Sequence, residues 1–189
     1  MSRWKPDAYG RLQQAALELF IEQGFEQTTV EQIAARAGLT KRTFFRYFPD
    51  KREVLFGGGE ELRQQFVDAV AAAPDDAAPL DAVARALDAA GASFAERRPF
   101  ARQRQRAIAG SVELQERELV KLASIATAVG AALRERGVEE PLASLTAETA
   151  IAVFKVAFER WVAPEQPPGE LTALIREALD ELRAVAAAG

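Results

Sequence analysis

Between Thr28 and Arg52, two short apolar periods flank a glycine, and no other stretch of the chain limits its architecture as closely. Val30, Ile33, Ala34 and Ala37 recur at helical spacing before Gly38, and Thr40 is a natural N-cap for a second helix that ends before Pro49. A residue without Cβ takes positive φ at little cost, so Gly38 supplies the turn. Ala34 stands four residues before Gly38, with Ile33, Leu39 and Phe44 as the buried set, a spacing that lets two helices cross tightly. The second helix carries cations and hydroxyls opposite its aromatics, which is how a protein offers a helix to the major groove of DNA.

The formal net charge of -4 argues against a polyanionic partner until it is divided along the chain. Through Phe56 there are nine Lys and Arg against seven Asp and Glu, whereas the remainder holds 15 cations and 21 anions. From Arg36 to Arg52, the cations Arg36, Lys41, Arg42, Arg46, Lys51 and Arg52 stand with one anion, Asp50. Phosphate responds to that local charge rather than to the global pI.

Elsewhere proline and glycine divide the chain into helical lengths. A first helix is expected from about Asp7 to Gln23, with Leu12, Ala16, Leu19 and Phe20 inward, Gly24 ending it and Phe25 packing back. Thr28 and Glu31 stand in capping-box spacing at the start of helix two. Asp50 with Glu53 repeats that start signal for helix four, which is expected to reach about Ala73 before the Pro74-Asp75-Asp76 linker. Further helices are expected at about 79–97, 99–110, 112–136, 142–163 and 169–187, bordered by Pro79, Pro99, Pro141, Pro164 and Pro167-Pro168. Strand alternation, hairpin turns and internal repeats are missing, so the expected fold class is all-α. The triplet Gly57-Gly58-Gly59 falls inside expected helix four, where each glycine costs about 1 kcal/mol against alanine. It reads either as close packing or as a deformable joint.

The composition narrows the chemistry. At 189 residues the chain holds one large domain or a small one plus a medium one, and 49% hydrophobic with 28% charged residues is ordinary globular usage. No apolar run approaches the ~18 residues of a membrane span, and Met1–Asp7 has no signal-peptide core, so a cytoplasmic protein without a membrane partner is expected. Cysteine and histidine are both absent, which removes disulfides, thiolate nucleophiles, His-based triads and His- or Cys-ligated metals. Carboxylate, lysine or tyrosine chemistry would remain to an enzyme; no catalytic residue, metal ligand or cofactor is expected.

The residues Gly24-Phe25, Thr28-Thr29-Val30, Ile33-Ala34, Ala37-Gly38-Leu39, Thr40-Lys41, Thr43-Phe44, Arg46-Tyr47-Phe48-Pro49 and Lys51 resemble the TetR family of bacterial transcriptional regulators over about residues 8–60. The resemblance implies an N-terminal three-helix helix-turn-helix domain, residues 1–56, joined by a long helix to a C-terminal helical ligand-binding and dimerisation domain, residues 57–189. It implies a phosphate contact at Thr28 or Thr29 and a reading helix capped by Thr40, with Lys41, Arg42 and Thr43 toward base edges and backbone. It further implies backbone clamps at Tyr47 and Lys51. Two positions depart from the pattern. Arg42 stands where a small residue is frequent, and Phe45 replaces a frequent phosphate-binding tyrosine, leaving it either a thymine methyl to touch or a packing role. Phe44 and Phe48 read as core, Arg36 and Arg52 as solvated or ion-paired, and Arg46 as either.

In the C-terminal part the resemblance implies that the last two helices pair with their copies in a homodimer. The stripes available are Ile151, Phe154, Phe158 and Trp161 on one helix and Leu171, Leu174, Ile175, Leu179 and Leu182 on the other. The expected dimer face takes Ile151, Phe154, Trp161, Leu171, Ile175 and Leu179, although such stripes also suit a monomer core. Two-fold symmetry would place paired reading helices about 34–36 Å apart. Middle helices would enclose an effector pocket, with Phe66, Phe94, Phe100, Ile108, Leu122 and Phe158 as candidate lining or as ordinary core. Arg97, Arg98, Arg102, Arg104 and Arg106 can receive an anion or form a wet face. The resulting expectation is a repressor that binds a palindromic double-stranded DNA operator and is released by a small-molecule effector. A ligand-free helix-turn-helix activator or architectural protein and a carboxylate-using helical enzyme are the alternatives.

Overall fold

The computed structural model describes residues 8–163 and 169–188; the expected helix start at Asp7 and the Pro164 and Pro167-Pro168 borders lie outside them. Among the described residues the regular structure is helical throughout and no strand occurs. In order it comprises α1 (Ala8–Gln23), α2 (Val30–Arg36), α3 (Lys41–Tyr47), a 3-10 turn (Glu53–Leu55), α4 (Gly59–Ala71), α5 (Pro79–Ser93), α6 (Arg98–Ala109), α7 (Val112–Glu135), α8 (Leu142–Val162) and α9 (Leu171–Ala187). The chain is all-α, as its periodicity predicts.

Helix four differs from expectation. Instead of one helix from Asp50, the Asp50 carboxylate accepts from the N–H groups of Arg52 at 2.8 Å and Glu53 at 3.2 Å, starting a 3-10 turn that ends at Leu55. The helix resumes only at Gly59, because a run of glycines is where helical continuation costs most. The three glycines are not equivalent. A Cβ on Gly57 would lie 1.8 Å from the Tyr9 hydroxyl oxygen, while a Cβ on Gly58 would meet nothing within 4 Å. Helix α5 also stops short of residue 97: the Ser93 hydroxyl donates to the Ala90 carbonyl at 2.7 Å, and Phe94 N–H turns back to the Gly91 carbonyl.

The chain forms two compact units. The first comprises residues 8–58 together with 102–119, so the end of α6 and the start of α7 group with the N-terminal helices. Its core gathers Leu12, Leu17 and Phe20 of α1, Ile33 of α2, Phe44 of α3, and Phe25, Phe48, Phe56 and Leu114, all buried. Phe44 and Phe48 are core, as their spacing predicts.

The second unit comprises residues 59–101 and 120–188, with α5 packed against α4, α8 and α9. One apolar cluster fills it and takes in all six residues of the expected dimer face. Ile151, Phe154, Trp161, Leu171, Ile175 and Leu179 are all buried within their own chain. These side chains lie where α8 and α9 pack on each other and on α5. Phe154 and Trp161 instead join an aromatic group with three expected pocket residues. Phe66 meets Phe154 edge-on at 5.8 Å, Phe158 stacks on Phe154 at 5.8 Å, and Phe94 contacts Phe154, Phe158 and Trp161. Leu122 is buried in the same cluster, Phe100 is half-buried on α6, and Ile108 is buried in the first unit.

Gly57→Ala should lower stability by about 1–3 kcal/mol, because its Cβ must displace Tyr9. Gly58→Ala should be neutral or add about 0.4–1 kcal/mol through the unfolded state. Chemical denaturation of the two variants checks the contrast.

Candidate nucleic-acid interface

Helices α2 and α3 have seven residues each, so more than half of their backbone groups are terminal and need partners from elsewhere. Thr29, not Thr28, caps α2. Its backbone is extended, its hydroxyl accepts from Gln32 N–H at 3.2 Å, and the Gln32 side chain returns to Thr29 N–H at 2.9 Å. The sequence Thr28-Thr29-Val30-Glu31-Gln32 offers two capping-box registers, and glutamine serves as well as glutamate. Thr28 is buried: its hydroxyl donates to the Gly24 carbonyl at 2.7 Å and accepts from Gln23 at 3.2 Å. Thr29, by contrast, is exposed.

The turn between the helices follows the glycine expectation. Gly38 has φ +65°, and Gly24, which ends α1, has φ +87°. Arg11 of α1 fills the concavity beside Gly38, donating from Nε to the Ala37 carbonyl at 3.0 Å and from Nη2 to the Gly38 carbonyl at 3.2 Å. Sequence reasoning missed Arg11, since nothing in its own helix marks it as a partner for residues 26 and 27 positions away. Thr40 caps α3 by accepting from Thr43 N–H at 3.1 Å, as expected.

The exposed face of α3 carries Lys41, Arg42, Phe45, Arg46 and Tyr47, with Thr43 half-exposed. Phe45 is 48% exposed beside a Phe44 that is fully buried, which separates its role from core packing. Lys41 pairs with Glu31 of α2 and lies over the Phe45 ring at 5.9 Å. Arg46 stacks on Tyr47 at 4.8 Å and donates to its hydroxyl at 3.0 Å. Arg36 pairs with Glu22 and Glu18, and Arg52 with Asp50 and Glu113. The Lys51 ammonium reaches the carbonyls of Phe25 at 2.7 Å, Thr28 at 3.1 Å and Glu26 at 3.4 Å, and lies 4.1 Å from the centre of the Phe25 ring. Among the described residues, Arg42 is the one cation between Arg36 and Arg52 with no partner in its own chain.

Behind this face, residues of α6 and α7 brace the 3-10 turn. Two guanidinium groups, those of Arg104 and Arg117, each lie over the Phe56 ring, 4.9 Å from its centre. Arg104 donates to the Leu55 carbonyl at 2.7 Å and pairs with Glu118 at 2.6 Å; Arg117 binds Glu53 through two contacts of 2.6 and 2.9 Å. Hydrogen bonding to Glu53 holds the Arg117 guanidinium above its ordinary pKa. The arginines that read as one possible anion site are thus divided between the units, Arg104 in the first and Arg98, bonded to the Trp161 carbonyl, in the second.

Residues 12–56 match the profile of the bacterial regulatory proteins, tetR family, and residues 77–187, more than half of the chain, match the MftR C-terminal domain of the TetR C-terminal class. The chain belongs to the TetR family. That family is one of bacterial regulatory proteins. TcmR of Streptomyces glaucescens is 43% identical over 74 residues, 39% of this chain and 33% of that protein. The fatty acid metabolism regulator protein of Bacillus subtilis is 33% identical over 64 residues, 34% of this chain and 33% of the relative. The chain thus spans about a third of the length of these curated relatives. Solved TetR-fold proteins cover nearly all of it. FadR of Bacillus halodurans superposes with a TM-score of 0.59 at 21% identity, over 95% of this chain and 96% of that one. FadR of Bacillus subtilis, solved with stearoyl-CoA, gives 0.62 at 23% identity, over 92% and 97%. At those identities they share the fold.

The Asp50 cap makes part of this TetR-family unit acid-sensitive. Arg52's guanidinium, helped by the N–H groups of Glu53 and Arg52, holds the Asp50 carboxyl below its ordinary value. The stabilisation is therefore complete above the unfolded carboxylate pKa of about 3.9 and is lost as pH falls through the lower folded value. Asp50→Asn keeps an acceptor but not the charge. Its melting temperature should lie below that of the wild type at pH 7, and the gap should close toward pH 3, as read by circular dichroism.

Proposed function

We propose that this regulator is a homodimeric, ligand-responsive repressor that reads a palindromic operator with α3, its residues 1–56 carrying DNA reading and residues 57–189 carrying effector binding and dimerisation. The observation that carries the reading is the partner-free, exposed Arg42 on α3, amid cations that are otherwise engaged within the chain. A guanidinium there presents two parallel donors to guanine O6 and N7, worth about 1–3 kcal/mol of discrimination. Thr29, Thr40, Lys41, Thr43 and Tyr47 supply hydroxyls and charge to the flanking phosphates, and exposed Phe45 is placed to touch a thymine methyl.

For the dimer face, the buried stripe gives way to the opposite side of α8. Leu142, Leu145, Thr149, Ala152 and Val156 follow one another at alternating spacings of three and four, the seam of paired helices, with Thr149 its one polar member. Leu145 is 62% exposed and Val156 40%, although both are large and apolar. That seam, together with family membership, supports association of two copies through α8.

The effector region is the aromatic group of Phe66, Phe94, Phe154, Phe158 and Trp161, in which Phe94 and Phe158 reach the surface. Its chemistry favours an apolar or planar molecule. The stearoyl-CoA bound by the Bacillus subtilis relative makes long-chain acyl thioesters the first compounds to offer, with Trp161 fluorescence as the readout. Release would be a population shift, limited by the effector's differential affinity for the two forms.

Duplex selected by the protein from a random pool should bind with an affinity falling steeply with salt, log K changing by about -0.9 per phosphate neutralised. Arg42→Ala should flatten base preference at particular pairs while overall phosphate-driven binding persists; an unchanged preference would remove Arg42 from the readout. Leu145→Glu combined with Val156→Glu should give a folded monomer in sedimentation and weaken palindrome binding. A dimer surviving both changes would place the interface elsewhere.

A further inference from the structure

Two cations of the first unit are engaged in a way that gives them a role apart from DNA contact. The chain from Phe25 to Lys51 holds α2 and α3, and both ends of α2 are fastened by side chains from outside it. At its C-terminal end, the fork of Arg11 takes the carbonyls of Ala37 and Gly38, groups that a helix end leaves without partners. Gly38 is bare as well as left-handed: a Cβ there would lie 3.0 Å from Arg11 Nη2. Before its N-terminal end, Lys51 donates to the carbonyls of Phe25, Glu26 and Thr28. An ammonium has three N–H groups, so three carbonyls engage all of them. Bonds from an ionised donor are short and strong, and both sets are half-buried on at least one side.

We infer that Arg11 and Lys51 are positioning residues: they clamp the two ends of α2 and so fix where α3 presents its side chains, without themselves contacting DNA. Lys51 lies after α3 in sequence and its acceptors lie before α2, so its bonds close the loop that contains both helices. Arg11 holds carbonyls of the turn before α3, the nearer one three residues ahead of Lys41, so a relaxation there passes along the short turn into the reading helix. The role rests on the proposal that α3 reads DNA, and it reverses the expectation that Lys51 clamps a phosphate.

The test compares binding of a duplex selected by the wild-type protein from a random pool with binding of unselected random duplex of equal length. Both are titrated across salt concentration at a temperature where circular dichroism shows each variant folded. Lys51→Met and Arg11→Met should lose about tenfold in affinity for the selected duplex, the scale of one hydrogen bond from a charged group. Binding to random duplex and the salt slope should stay at wild-type values, and Lys51→Arg, which keeps donors for the carbonyls, should recover part of the loss and covers the case where Lys51→Met fails to fold. A phosphate-contacting Lys51 would weaken both duplexes equally and make the slope shallower by about 0.9, overturning the inference. A lowered melting temperature with both affinities unchanged would overturn it too, since the residues would then serve folding alone. If the wild-type protein enriches no sequence and binds duplex without salt dependence, the DNA-reading proposal itself falls, and the positioning role with it.

Discussion

A seven-residue helix is more than half ends. Four N–H groups and four carbonyls at its termini lack partners within the helix, and in α2 and α3 that is more than half of the backbone groups. The first unit is organised around supplying those partners. Thr29 with Gln32 and Thr40 serve the N-termini, Arg11 serves the C-terminal carbonyls of α2 and the Gly38 turn, and Lys51 serves the carbonyls of the turn before α2. Only after these needs are met do side chains of α3 stand free toward solvent.

This ordering explains why a cation-rich segment presents few free cations. A ridge of lysine and arginine invites reading as a single phosphate-binding surface. In the folded chain the charges have separate roles. Arg36 and Arg52 are paired with carboxylates, Lys51 holds carbonyls, Lys41 and Arg46 are lightly held by Glu31 and Tyr47, and Arg42 is free. The exposed pairs hold their charges weakly, because ion pairs in water contribute about 0–1 kcal/mol. The single partners of Lys41 and Arg46 therefore hold them less firmly than three main-chain acceptors hold Lys51.

The positions of most helices were legible because proline and glycine act locally: Pro79, Pro99 and Pro141 mark borders, and from α6 onward each observed end falls within two residues of expectation. Legibility failed where two local signals competed. Asp50 is a good cap but feeds a glycine run, so a 3-10 turn replaced a helix, and the paired threonines at 28 and 29 offered two capping registers. It also failed for the partners of periodic stripes. Ile151, Phe154 and Trp161 are apolar at helical spacing whether they meet α5 and α9 or a second copy, and the fold gave them to the former.

The sequence by itself determined an all-helical chain, a glycine-hinged helix pair with local positive charge, and the exclusion of thiol and imidazole chemistry, because each depends on residue identity and near neighbours. The tertiary structure decided which cations remain free, which side of α8 is left apolar and exposed, and that residues 102–119 group with the N-terminal helices. Those outcomes depend on partners tens of residues away, as with Arg11 and Ala37 or Arg104 and Leu55. Periodicity shows that a face is buried; only the packed chain shows against what.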